Sequence, residues 1–227
     1  MDKFISIAID GPSASGKSTV AKILASKINF LYIDTGAMYR AFTLAVIRAG
    51  LDCTNEEESN SLIGKISISF NKNNQITLND EVVEKEIRGN EVASNVSYIA
   101  SYKEIRLFLV ELQRKIATGH NVVMDGRDIG TYVLKDAQLK IFLNADVNER
   151  GKRRYLENQS KNIESSLDDS LKNIKKRDYI DSHREFCPLQ PASDAILVDS
   201  TRLNAEEVAN TIYKLALSKG IELWVYH

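Results

Sequence analysis

Apolar residues fall along this chain in two alternating rhythms. Phe4-Ile5-Ser6-Ile7-Ala8-Ile9 is short and β-rich and stops at Asp10-Gly11-Pro12, the pattern of a buried strand. Residues 17–28 then place Val20, Ile23, Leu24 and Ile28 at helical spacing. Leu31-Tyr32-Ile33 predicts a second strand and residues 37–49 a second helix. Further strands are expected at 121–124, 139–143 and 195–198, and helices at about 102–118, 146–159, 164–182 and 204–218. Strands that alternate with helices predict an α/β fold, a parallel sheet covered by helices on both faces.

Residues 65–88 break the rhythm. Ile66, Ile68 and Phe70 alternate with Ser67 and Ser69. Asn71-Lys72-Asn73-Asn74 is a turn signal, and Ile76-Thr77-Leu78, Asn79-Asp80 and Val82-Val83 follow. Three short strands joined by tight polar turns predict a small antiparallel β insert.

Composition narrows the function. The chain has 227 residues, 43% of them hydrophobic, and a formal net charge of −1. That is enough for one substantial core, and it carries no global electrostatic footprint for nucleic acid. Met1-Asp2-Lys3-Phe4 shows no charged region ahead of a long apolar stretch, so neither a signal peptide nor a membrane span is expected. The two cysteines, Cys53 and Cys187, lack metal-ligand spacing and predict free thiols in a reducing cytoplasm.

The chemistry begins where the first strand ends. Gly11-Pro12-Ser13-Ala14-Ser15-Gly16-Lys17-Ser18-Thr19 satisfies G-x-x-x-x-G-K-[ST] between a strand and a helix, the setting of a P-loop. Glycines let the backbone wrap a polyphosphate closely, and successive N–H groups with the helix N-terminus face the anion. Lys17 is assigned to the β- and γ-phosphates, Ser18 to Mg²⁺ and Thr19 to the α-phosphate of ATP. A guanine-reading N-K-x-D segment is absent from the sequence. The second strand ends in Asp34-Thr35-Gly36, with Tyr39 and Arg40 in the helix that follows. Ligands of open α/β sheets lie beyond the carboxyl ends of the strands. Arg40 is therefore placed to meet an anion, and Tyr39 to pack on a ring or a ribose. Asp125-Gly126-Arg127-Asp128 ends another strand, where a carboxylate can orient Mg²⁺-bound water.

Ile9-Asp10-Gly11-Pro12-Ser13, Asp34 to Arg40 and Asp125-Gly126-Arg127-Asp128-Ile129-Gly130-Thr131, taken together, resemble bacterial-type cytidylate kinase. The resemblance continues through Leu78 to Val92, Ile174 to Arg184 and Ala192 to Thr201 and covers nearly the whole chain. It implies transfer of the γ-phosphoryl of MgATP to CMP or dCMP; a cytoplasmic monomer is expected. It also implies a P-loop core (1–64, 102–148, 185–227), a nucleotide-binding insert (65–101) and a helical lid (149–184). The matching positions assign Lys17, Arg127, Arg177 and Arg184 to catalysis and Arg154 to ATP. They assign Thr35, Tyr39, Arg40, Ser97, Arg106, Arg127, Asp128, Arg177 and Asp181 to CMP. Asp128 would accept from the cytosine N4 amine, while Ser97 and Arg106 donate to N3 and O2. A uracil there would set acceptor against acceptor, and buried polar mismatches are rejected strongly. Rival readings are a P-loop kinase acting on UMP, AMP or a metabolite such as shikimate, and a nucleotide-binding regulatory module without turnover.

Overall fold

The computed structural model describes residues 4–160 and 163–223. In chain order the elements are β1 (Ser6–Asp10), α1 (Lys17–Ile28), β2 (Leu31–Asp34), α2 (Thr35–Arg48), α3 (Glu56–Asn60), β3 (Ile68–Phe70), β4 (Ile76–Leu78) and β5 (Glu81–Val82). After a 3₁₀ turn at Glu86–Arg88 come α4 (Asn90–Ile99), α5 (Lys103–Ala117) and β6 (Val122–Gly126). A π-helical turn at Ile129–Val133 is followed by β7 (Leu139–Asn144), α6 (Val147–Ser160), α7 (Leu167–His183), β8 (Ile196–Asp199) and α8 (Ala205–Ser218). These elements gather into two units, one of Met1–Ile33 with Gly119–His227 and one of Asp34–Thr118.

The first unit holds the five-stranded sheet, in the order β2-β6-β1-β7-β8. The β6–β1, β1–β7 and β7–β8 ladders are parallel. Ile7 and Ile9 of β1, Val123 of β6, and Leu139, Ile141 and Leu143 of β7 pack with Val20, Leu24 and Ile28 of α1 and Val208, Ile212 and Ala216 of α8. Each Val, Leu or Ile among them contributes about 1.5–3 kcal/mol on leaving water, so this interior anchors the strands from which the functional loops depart. Register carries the functional consequence: Ile9 pairs with Asp125 and Asp10 with Gly126, so the phosphate loop and the Asp125–Asp128 segment leave the sheet at the same level. The helices of this unit begin where local chemistry dictates. Ser166 and Asp169 form a capping box at α7, and Asn204 and Glu207 form one at α8.

The second unit carries the antiparallel insert that the alternation predicts, in the order β3-β4-β5. Asn74 adopts a left-handed φ of 56°, and the Asn71 side chain accepts from the N–H groups of Asn73 and Gln75 at 2.9 and 3.0 Å. Helix α2 packs against β4, the 3₁₀ turn and α4. Arg48, at its end, bridges Glu81 and Glu86 at 2.8 and 2.7 Å.

Two expectations change. Helix α2 begins at Thr35 rather than at residue 37, because the Asp34 carboxylate caps it by accepting from the Ala37 N–H at 2.8 Å. Helix α4 was not anticipated, although Val92, Val96 and Ile99, spaced four and three apart, form its buried face. Among the described residues, no helix is long and apolar enough to cross a membrane. The terminal segment Ile221 to His227 is described only to Leu223, where Ile221 is buried in the core; Trp224 to His227, Met1 to Lys3, and Lys161 and Asn162 lie outside the described residues.

Candidate functional site: a phosphate loop and an arginine–carboxylate network

The loop from Gly11 to Gly16 turns β1 into α1. Gly11 has φ 155°, and a Cβ there would lie 2.0 Å from the Leu143 carbonyl oxygen, so no side chain fits. Ala14 and Gly16 take left-handed φ values of 57° and 93°, the backbone alternation from which N–H groups build an anion nest. Pro12, Ser13 and Ser15 are buried in the loop wall, while Ser18 and Thr19 are exposed on the first turn of α1.

Lys17 is buried, and its ammonium donates to the Pro12 carbonyl at 2.7 Å. Burial pushes it well below its ordinary pKa of 10.5, and the charge of Arg127 adds to this; Asp125 and Asp10 act in the opposite direction. An anion in the concavity would offset both depressing effects, the behaviour required of a phosphate-binding lysine. The Ser18 hydroxyl donates to Asp125 Oδ2 at 2.8 Å, and the Tyr32 hydroxyl to Asp125 Oδ1 at 2.9 Å. A hydroxyl and a buried carboxylate at the end of β6 form a hard-oxygen donor set, the kind that suits Mg²⁺.

Beyond β6 the predicted acceptor residues of this unit form a network. Arg127 Nε donates to Asp181 Oδ2 at 2.7 Å. Arg184 lies 3.9 Å from Asp181 and 3.6 Å from Asp128, and its Nε donates to the Cys187 carbonyl at 2.6 Å. Burial pushes the Asp181 carboxyl up, but the Arg127 charge and hydrogen bond, with the charges of Arg184 and Arg177, outweigh it and hold Asp181 below its ordinary value. Burial likewise depresses Arg127, and Asp181 more than compensates. Arg127 and Asp181 thus hold each other in the charged form.

Asp10 underlies this segment and escaped the sequence reading as a working residue. Its two carboxylate oxygens accept the Ile129 and Gly130 N–H groups, each at 2.8 Å, and so hold the π-helical turn after Asp128. Burial raises its pKa to about 7, with the two backbone bonds pulling the other way and Asp128 adding to the rise. Its separation of 119 residues from Ile129 leaves no local signal.

Arg154, predicted to meet ATP, lies on α6 beside Glu157 at 3.5 Å. Its neighbour Arg153 reaches the loop, donating to the Ser15 carbonyl at 3.4 Å and the Ser200 carbonyl at 2.6 Å. Arg150 also reaches it, donating to the Ser13 carbonyl at 3.0 Å. The sequence reading did not single out Arg150, Arg153 or Ser200.

In the Asp34–Thr118 unit, Thr35 and Tyr39 are buried on α2, and Arg40 lies 4.0 Å from Asp34. Arg106 is 1% exposed; its guanidinium stands 5.3 Å from the centre of the Tyr39 ring and donates to the Ala100 carbonyl at 2.8 Å. A cation over an aromatic face gains about 0.5–2 kcal/mol, so Tyr39 and Arg106 form one preset surface. Ser97 is half-buried on α4, one turn ahead of the Ala100 carbonyl that holds Arg106.

Comparison with known proteins shows the family. The family model described as "Cytidylate kinase" matches residues 7–218. A cytidylate kinase of Alkaliphilus oremlandii is 50% identical over 219 residues, covering 96% of this chain and all of that one. A cytidylate kinase of Clostridioides difficile is 48% identical over 206 residues, covering 91% and 95%. A solved structure of an uncharacterized protein from Eubacterium ventriosum shares the fold with a TM-score of 0.53 at 18% identity, covering 95% of this chain and 99% of its own. With a phosphate loop closed by a buried lysine and a match along nearly its full length, the chain belongs to the cytidylate kinase family and is a kinase.

Proposed function

We propose that the protein transfers the γ-phosphoryl group of MgATP to CMP or dCMP, giving ADP and CDP or dCDP. The observation that carries this reading is the Arg127–Asp181–Arg184–Asp128 network beyond β6, at the same carboxyl end of the sheet as the phosphate loop. A loop alone accounts for a donor; this cluster adds paired guanidinium and carboxylate groups suited to a nucleoside monophosphate.

The residues divide by role. The loop N–H groups and Lys17 hold the donor's phosphates and neutralise charge that moves during transfer. Ser18 and Asp125 would hold Mg²⁺, which when bound neutralises and orients the β- and γ-phosphates. Arg127 takes the acceptor phosphate, Asp181 and Arg177 the rest of that nucleotide, and Arg184 the transferring group. Asp128 accepts from the base amine. In the other unit Ser97 and Arg106 are assigned to N3 and O2 of cytosine, and Thr35, Tyr39 and Arg40 complete the CMP set. A phosphate oxygen of CMP is already ionised, so in-line attack requires no protein base, and positioning with charge neutralisation supplies the rate. Arg154 is assigned to ATP from α6. The free thiols Cys53 and Cys187 suit a reducing, cytoplasmic setting.

The test is an acceptor panel of CMP, dCMP, UMP, AMP and shikimate with MgATP, read by ADP release. The expected result is turnover with CMP and dCMP at a kcat/KM at least about 10²-fold above that for UMP or AMP, the scale of rejection by hydrogen-bonded sites. A preference for UMP, AMP or shikimate overturns the acceptor assignment, and ATP binding without acceptor-dependent ADP release overturns the enzymatic reading.

A further inference from the structure

The backbone of Ser13 is held on both sides by charged side chains from two helices. The Asp178 carboxylate of α7 accepts its N–H at 2.9 Å. Arg150 of α6 donates to its carbonyl at 3.0 Å. The two side chains then close the ring on each other through an ion pair between Arg150 Nη1 and Asp178 Oδ2. Arg150 is itself fixed, since its Nε donates to the Ala145 carbonyl at 3.0 Å and the residue is buried. Ser13 belongs to the phosphate loop, whereas Asp178 and Arg150 lie far outside its motif.

The arrangement has a directional effect on the loop. Arg150 occupies the Ser13 carbonyl, and Arg153 with the Ser200 hydroxyl occupies the Ser15 carbonyl, at 3.4 and 3.0 Å. A carbonyl turned inward would repel a phosphate; turned outward, it leaves the following N–H groups facing in. Charge-assisted bonds are roughly twice as strong as neutral ones. Asp178 also lies close enough to favour the charged form of Arg127.

We propose that Asp178 and Arg150 are positioning residues for the donor nucleotide: together they clamp the backbone of Ser13 through its N–H and carbonyl, set the direction of the N–H groups that follow it in the loop, and tie the α6–α7 hairpin to the loop. Helix α7 is also held by Arg127–Asp181 and by the Arg184 contacts, which do not involve Asp178. The inference rests on the donor half of the proposed function and is independent of which acceptor is used.

The experiment is a double-mutant cycle on the full chain, with Asp178→Asn, Arg150→Gln and both, read in two ways. The first is amide hydrogen exchange over residues 11–17 without nucleotide; the second is MgATP affinity by calorimetry without acceptor. Each single variant is expected to exchange faster in this segment and to bind MgATP about 10-fold more weakly, as for loss of a hydrogen bond to a charged group. The double variant should resemble either single, since one clamp is broken in every case, whereas independent roles would multiply to about 10²-fold. Asp178→Glu serves as the second variant if Asp178→Asn does not fold, and it should also loosen the segment because its longer arm misplaces the carboxylate. Unchanged loop exchange in the single variants, or multiplying effects on MgATP affinity in the double, overturns the clamp. If exchange responds as expected while the unaltered protein binds no MgATP, the clamp stands and the donor reading fails.

Discussion

The Arg127–Asp181 pair offers a test in which stability, pH and turnover must agree. Consider Arg127→Met, which keeps much of the apolar stem and removes the charge. Arg127 Nε sits 2.7 Å from Asp181 Oδ2, with side chains 21% and 11% exposed. Removing one member of a fully buried pair costs about 3–5 kcal/mol, because the other charge is left in a poor solvent. Two features reduce the figure: both groups retain some water, and Arg184 remains 3.9 Å from Asp181. A loss of about 2 kcal/mol at neutral pH is therefore expected. The pH dependence follows from the sign. In the native protein burial raises the Asp181 carboxyl, but its arginine neighbours hold it below its ordinary 3.8. Its contribution is thus fully present above that value and is lost as pH falls through the depressed one. Without Arg127, burial prevails more nearly, and the carboxyl can shed its unpaired charge by protonating as pH falls. The deficit of the variant should then be largest at pH 7 and shrink on approaching pH 4. Urea denaturation of both proteins at intervals between pH 4 and 8 measures it. Turnover at saturating CMP should fall by on the order of 10²-fold, as for loss of a transition-state charge clamp. A deficit that is flat across the pH range would refute the electrostatic account of the pair, and full turnover at saturating CMP would refute the role given to Arg127.

Two further outcomes can be stated from the loop and its support. Gly11→Ala places a Cβ 2.0 Å from a backbone oxygen that no side-chain rotation can move, so a loss of about 3 kcal/mol or more is expected, a fall of roughly 10 °C in melting temperature for a chain of this size; an unchanged melt would contradict the packing of the loop on β7. Asp10→Asn tests the carboxylate raised to about 7 chiefly by burial. A raised folded-state value means that its contribution is present below about 3.8 and is lost as pH rises through about 7. The asparagine variant should therefore show a flatter decline in stability between pH 5 and 8 than the parent, together with a pH-independent loss of about 1 kcal/mol, because its side chain offers one acceptor to two N–H groups. Denaturation at pH 5.5 and 8 measures both effects, and an unaltered slope would refute the assignment.

What the sequence discloses divides along physical lines. The phosphate loop was legible because its chemistry is local: β1, the loop and α1 are adjacent in the chain, and Lys17–Ile28 appears as the apolar spacing predicts. The antiparallel insert was legible for the same reason, since a tight turn joins β3 to β4. Helix α4 was hidden because Asn, Ser and Glu dominate its exposed faces and only Val92, Val96 and Ile99 carry the period. The supports of the loop were hidden by a different cause. Ser13 lies 165 residues from Asp178 and 137 from Arg150 in the chain, and no spacing rule spans that distance. Lys152-Arg153-Arg154 illustrates the limit most directly. As sequence the three are one basic run, but each residue turns about 100° further round the helix. Arg153 is carried to the Ser15 and Ser200 carbonyls, Arg154 meets Glu157, and Lys152 is exposed. Which of several like charges does the work is decided by rotation about a helix axis and by what the rest of the fold brings to meet it. The same holds at Ser13, where the fold brings a carboxylate and a guanidinium from two helices onto the backbone of one residue.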